Sequence, residues 1–210
     1  MTNDFSDDSA SLAVTLQRYQ RPIAIGVVVL AAAGGGLWMA KRSGEIKEQR
    51  AAEAFAVAEA AYSSGGIPAA QGELQKVVSR YAGTTAGAQA ALLSSQWYFE
   101  AGQADSGLAV VSAAVSEAPA PMRPGLLGLQ ATGKALKGDH AGAAKDFEAA
   151  AAASQLPMDK DGYQMDAARS YVSAGDTASA ERIYTEISLR EDSEYAGEAR
   201  LRLGEIKAKA

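Results

Sequence analysis

The sequence predicts an all-α protein: a single N-terminal transmembrane helix, then an α-solenoid of about four helical hairpins, then a C-terminal capping helix. Three observations predict it. Gly65, Gly102, Gly138 and Gly175 recur 37, 36 and 37 residues apart. The residues around them recur with them: a small one five positions on (Ala70, Gly107, Ala143, Ala180), a large one nine on (Leu74, Val111, Phe147, Tyr184) and a small one seven before (Ala58, Ser95, Ala131, Ala168). A period in the thirties with fixed small and large sites belongs to stacked hairpins, because no single hairpin can bury its apolar face alone. Lastly, Ile23–Ala40 reads IAIGVVVLAAAGGGLWMA, without one charge.

Composition agrees. The chain has 210 residues and is 48% hydrophobic, much of that alanine, including the unbroken run Ala149–Ala153. Alanine is the best helix former and lets helices approach closely. Net charge is −5, and beyond residue 40 there are 18 Lys+Arg against 22 Asp+Glu, interspersed. That balance excludes the basic footprint of a nucleic-acid binder. With no cysteine, thiol catalysis, disulfides and thiolate metal sites are excluded too.

Taken in order, residues 1–21 form a short polar leader. Residues 22–42 form the transmembrane helix. Its apolar run is slightly short of the roughly 20 residues a bilayer needs. Pro22 and the flanking residues extend it, and Tyr19 and Trp38 sit where interfacial aromatics belong. A cleavable signal peptide, with Ala31 and Ala33 as its small-residue cleavage pair, is disfavoured by Asp4, Asp7 and Asp8 in the leader and by Leu37-Trp38-Met39 continuing the run. A buried core helix would need a polar face that this stretch lacks. Arg18 and Arg21 precede the span, whereas Lys41, Arg42, Lys47 and Arg50 follow it. The positive-inside count therefore points the C-terminal domain toward the cytoplasm, a rule that weakens for long domains.

Residues 43–210 form the repeat domain. A helix over Glu45–Tyr62 is expected to end at Gly65-Gly66, with Pro68 opening its partner and Leu74, Val77, Val78 and Tyr81 giving that partner its stripe. In the second hairpin Thr85 caps a helix carrying Leu92, Tyr98 and Phe99. Gly102 ends it, and the partner carries Leu108, Val111 and Val115. Pro119, Pro121 and Pro124 then force a turn. The third hairpin runs from about Gly125 through Gly138 to Ala153, closed by Pro157. The fourth runs from about Asp161 through Gly175 to Leu189. The final stretch, YAGEARLRLGEIKAKA, makes half of a fifth repeat and serves as the cap.

The small residue before the turn, the turn glycine, the alanine five on and the aromatic nine on resemble the tetratricopeptide repeat. Tyr98, Gly102, Val111, Ala114 and Pro119 follow that pattern, as do Tyr171, Gly175, Ala180 and Tyr184. Lys134 departs from it, and each unit is two or three residues longer than the usual 34, with the surplus expected between hairpins. The architecture of leader, span near residue 30 and degenerate repeats resembles the YfgM-type ancillary subunit of the bacterial SecYEG translocon. That resemblance implies a single-pass inner-membrane protein with a cytoplasmic N-terminus and periplasmic repeats, associated with the translocon and with a membrane-anchored periplasmic chaperone. It opposes the basic-residue count and is followed here.

Chemistry has little to use. His140, the one histidine, stands two residues after a turn glycine, with no ligand cluster or nucleophile motif around it. Asp159 and Asp161, and Glu191, Asp192 and Glu194, match no calcium loop. No cofactor or metal is expected, and no enzyme. The tetratricopeptide likeness implies that the first helix of each hairpin lines a concave protein-binding face. Its register selects Phe55, Glu59 and Tyr62 in the first repeat, Gln89, Leu92, Gln96 and Phe99 in the second, and Met165, Arg169 and Val172 in the fourth. Apolar and amide lining favours a protein segment bound through its side chains. The function expected is a membrane-anchored adaptor. The alternative is a structural or assembly subunit of another bacterial inner-membrane complex.

Overall fold

The computed structural model describes the backbone of residues 5–208 and the side chains of residues 33–208. Its elements are all helical: α1 (Phe5–Arg80), α2 (Thr85–Glu100), α3 (Ala104–Glu117), a 3-10 turn (Ala120–Met122), α4 (Arg123–Leu136), α5 (His140–Ala153), α6 (Pro157–Ala174), α7 (Thr177–Ser188) and α8 (Ala196–Lys207). The chain divides into two units, Met1–Ile46 and Lys47–Ala210.

In the first unit, Ala33–Ala40 are exposed, with Leu37 74%, Trp38 68% and Met39 69% open. Arg42 pairs with Glu45 across one turn at 3.5 Å. The leader and the Ile23–Ala32 part of the expected span lie outside the described side chains. Among the described residues, no helix is long and apolar enough to cross a membrane.

The second unit is the repeat array. Each predicted recurrence is a packing position. The small residues at five on (Ala70, Gly107, Ala143, Ala180), the large ones at nine on (Leu74, Val111, Phe147, Tyr184) and the small ones at seven before (Ala58, Ser95, Ala131, Ala168) are all buried. Small residues let a hairpin's two helices close up, and the large one fills the space toward the next hairpin. The cores follow in sequence. One joins Ala58, Leu74 and Val77 of α1 to Ala90 of α2. The next joins α2, α3 and α4 through Ala91, Val111 and Leu126. The last runs from Ala131 through Met165, Tyr171 and Tyr184 to Ala199 of α8.

Turn chemistry explains the hairpins. Gly102, Gly138 and Gly175 are left-handed, with φ 72°, 81° and 81°. Behind each, the following residue donates back to a carbonyl five positions earlier: Gln103 to Tyr98 at 2.8 Å, Asp139 to Lys134 at 3.0 Å and Asp176 to Tyr171 at 2.9 Å. This is the helix-ending pattern that glycine permits. In the third and fourth turns the very next residue starts the new helix. Asp139 accepts from Gly142 N at 2.9 Å, and Asp176 from Ser179 N at 3.1 Å. A Gly-Asp pair thus closes one helix and caps the next.

Three boundaries, and the placement of the extra repeat length, differ from expectation. In the first hairpin the left-handed residue is Gly66 (φ 67°, ψ −163°), while Gly65 stays helical, so α1 breaks one residue later. The cap of α2 is Thr84, not Thr85, because Thr84 has the extended backbone (φ −103°, ψ 160°) that turns its hydroxyl onto Gly87 N at 3.0 Å. Pro157 opens α6 rather than closing the hairpin before it, since proline suits a helix's first turn, where an N–H has no partner. The extra repeat length is only partly between hairpins: residues 189–195 hold some of it, but α6 itself has 18 residues.

Candidate protein-binding face

The site is built on the first helix of each hairpin: α1 ahead of Gly66, then α2, α4 and α6. Helices α2 and α4 touch directly, so first helices of successive hairpins are neighbours. Close approach comes from glycines facing large side chains. A methyl at Gly128 on α4 would stand 2.6 Å from the Tyr163 ring of α6, and one at Gly133 would stand 2.5 Å from Phe99 and 2.8 Å from Leu108. The Phe99 ring also covers Gly107 of α3.

Those contacts sort the ten sequence-selected residues into two groups. Phe55, Leu92 and Phe99 are half-buried against the cores, and Met165 is fully buried. Met165 therefore packs and offers nothing to a partner, and Phe99 is held between α3 and α4 rather than lining an open groove. The exposed group is Glu59, Tyr62, Gln89, Gln96, Arg169 and Val172.

Within that group one register stands out. Six positions before the repeat glycine lie Glu59, Gln96, Thr132 and Arg169, one on each first helix, and all four are exposed. Thr132 was missed by the sequence reading, although counting back from Gly138 finds it. Most of this row is engaged within its own helix or with the next. Gln96 donates to Glu100 at 3.0 Å, and the Thr132 hydroxyl donates to the Gly128 carbonyl at 3.0 Å. Arg169 bridges Asp166 at 2.6 Å and Glu198 of α8 at 3.0 Å. Glu59 has no ion pair among the described residues.

Two local features adjoin the row. At its first end Tyr62 stacks on Trp97, with ring centroids 5.4 Å apart and planes at 22°. At its last end, Val172, Tyr184 and Ile206 form an apolar hollow of about 450 Å³ with Arg169, Arg202 and Glu205 at its edge. The hydrogen bond from Arg169, followed by burial acting the other way, holds the Glu198 carboxyl below its ordinary value. Burial pushes Asp166 up despite the Arg169 charge beside it. Burial, and then the hydroxyl's bond to Glu148 at 2.7 Å, push Tyr171 up to about 12. These shifts belong to helix-to-helix packing. No group of three or more His, Cys, Asp or Glu among the described residues is placed to hold a metal, and His140 stands at the start of α5.

The fold is similar to two crystal structures of TPR-like repeats from a kinesin light chain-like protein of Podosopora anserina, one of them a Q17M variant. Identity is 16% and TM-score 0.57 for both, over 77% of this chain and 86% and 87% of theirs. That likeness establishes a TPR-like fold. No protein-family model matches the chain. No curated protein matches it.

Proposed function

We propose that this chain is a membrane-anchored, non-enzymatic adaptor whose repeats hold a protein segment along the first helices of the hairpins. The observation that carries this reading is the row Glu59, Gln96, Thr132 and Arg169, exposed at one register on the first helices of successive hairpins, each backed by a buried core. A continuous row of polar side chains with rigid packing behind it suits recognition of an elongated partner at small ordering cost. The uncharged run Ile23–Ala40 is the anchor, and open Leu37, Trp38 and Met39 support it, because three large apolar side chains in succession need cover. The place that fits is the bacterial inner membrane, with the N-terminus cytoplasmic and the repeats periplasmic. The partner that fits is the translocon or a membrane-anchored chaperone beside it, where anchoring raises effective concentration.

Full-length protein purified in mild detergent tests the reading when compared with a variant carrying arginine or glutamate of opposite sense along the row: Glu59→Arg, Gln96→Arg, Thr132→Arg and Arg169→Glu. A translocon or chaperone component retained by the wild type and lost by the variant is expected, with helical content unchanged. Equal retention by both refutes the row. Stoichiometric retention through a high-salt wash by both identifies a structural subunit instead. A reporter at Ala210 that is active only inside the cytoplasm overturns the periplasmic placement.

A further inference from the structure

The adaptor reading does not say what chemistry the bound segment carries. The first two hairpins do. From Ala51 to Met122 there are six acids (Glu53, Glu59, Glu73, Glu100, Asp105 and Glu117) against Lys76 and Arg80. Between Tyr81 and Met122 there is no basic residue at all. Lys76 is already paired with Glu73 at 2.7 Å. Asp105 is engaged by Lys137 of α4, so Glu53, Glu59, Glu100 and Glu117 are the acids without an ion pair among the described residues, and the Tyr62–Trp97 stack lies between two of them, Glu59 and Glu100.

The stack is open where a ligand could use it. Trp97 is half-buried and packs against the core formed by Ala58, Leu74, Val77 and Ala90, whereas Tyr62 is 50% exposed. Glu59 lies one turn before Tyr62 on α1, and Glu100 one turn after Trp97 on α2, so a carboxylate adjoins each ring. An aromatic face with anionic neighbours attracts a cation twice, through the ring quadrupole and through charge-assisted hydrogen bonds. A planar guanidinium meets both demands better than an ammonium, since it stacks and donates at once.

We propose that the Tyr62–Trp97 stack, with Glu59 and Glu100, is a seat for an arginine side chain of the bound protein segment, so the partner is basic where it meets the first two hairpins. The inference rests on the adaptor reading and narrows it to one chemical class of partner.

Trp97 reports on this directly. The chain has two tryptophans, so Trp38→Phe in the full-length protein, held in zwitterionic detergent, leaves Trp97 as the sole tryptophan, excited selectively beyond the tyrosine band. Alanine-rich helical peptides bearing arginine, lysine or glutamate at the same positions are the probes. The arginine peptide is expected to change Trp97 emission saturably and more tightly than the lysine peptide, with the glutamate peptide silent. Tyr62→Ala should weaken the arginine peptide about tenfold and Tyr62→Phe should leave it unchanged. Glu59→Gln with Glu100→Gln should weaken it and flatten its salt dependence. Circular dichroism confirms that each variant is folded. Equal binding of arginine and glutamate peptides, indifference to Tyr62→Ala, or no response to any peptide overturns the proposal. Such a result leaves the adaptor reading to the copurification experiment, which depends on no particular partner charge.

Discussion

Ser95 is the one polar side chain at the small site that precedes each turn. Its counterparts are Ala58, Ala131 and Ala168, all essentially closed to solvent, and Ser95 is 0% exposed. Its hydroxyl oxygen has no hydrogen-bond partner. A buried hydroxyl without a partner loses its hydration and recovers nothing. Ser95→Ala is therefore expected to stabilise the protein by about 0.5–1 kcal/mol, read as a higher midpoint in urea with an unchanged slope. A lower midpoint would show that the hydroxyl has a partner after all. This site was legible in the sequence, because position seven before the glycine stayed small in every repeat. Other residue-level features were not. Gly87 has to be glycine because a methyl there would run into the Tyr81 carbonyl, a collision between segments that no local pattern announces. The buried state of Met165 was hidden for the same reason. A methionine on a first helix reads alike whether it faces the inner surface or the neighbouring hairpin, and only the packing of α6 against α5 and α7 decides it.

At the scale of elements, helices and their order followed from periodicity, while their ends did not. Thr84 and Thr85 are chemically equal cap candidates, and the choice between them rests on which one takes the extended backbone. Pro157 could end one element or begin the next, and sequence position alone does not separate the two. Nor did the sequence reading foresee how α8 is fastened. Asp166, Arg169, Glu198, Arg202 and Glu205 form a chain of ion pairs from α6 along α8, with separations from 2.6 to 3.5 Å. Three of its four pairs are one-turn neighbours within α6 or α8, and the one that fastens α8, Arg169–Glu198, forms only in the folded array. Glu198 is held below its ordinary value by Arg169, so its contribution is present at neutral pH and fades as pH falls through its folded value. Glu198→Gln should lower stability by about 0.5–1 kcal/mol at pH 7, modest because the pair is partly exposed and screened. The gap to wild type should close at a pH where Glu198 is protonated. A deficit that persists unchanged in acid would mean that Glu198 acts by packing rather than charge.

For the molecule as a whole, the glycine register gave more than the fold. It also supplied the coordinate system in which the binding row appears, since Glu59, Gln96, Thr132 and Arg169 share one offset from their repeat glycines. What the register could not do was separate exposed from half-buried members of a first helix. Leu92 and Phe99 fit the groove register, but they are spent on Gly107 of their own hairpin and on Gly125 and Gly133 of the next. Substituting either would test the core and not the surface, so tests of binding belong on the exposed row. The central claim is that this row, and not the second helices, meets the partner. A photo-crosslinking amino acid placed singly at Glu59, Gln96, Thr132 or Arg169, and for contrast at exposed Ser112, Lys145 and Glu186 on second helices, measures that in living cells. Adducts of one shared partner are expected from the four row positions and none from the other three. Adducts confined to the second helices, or spread evenly over all seven sites, would contradict it.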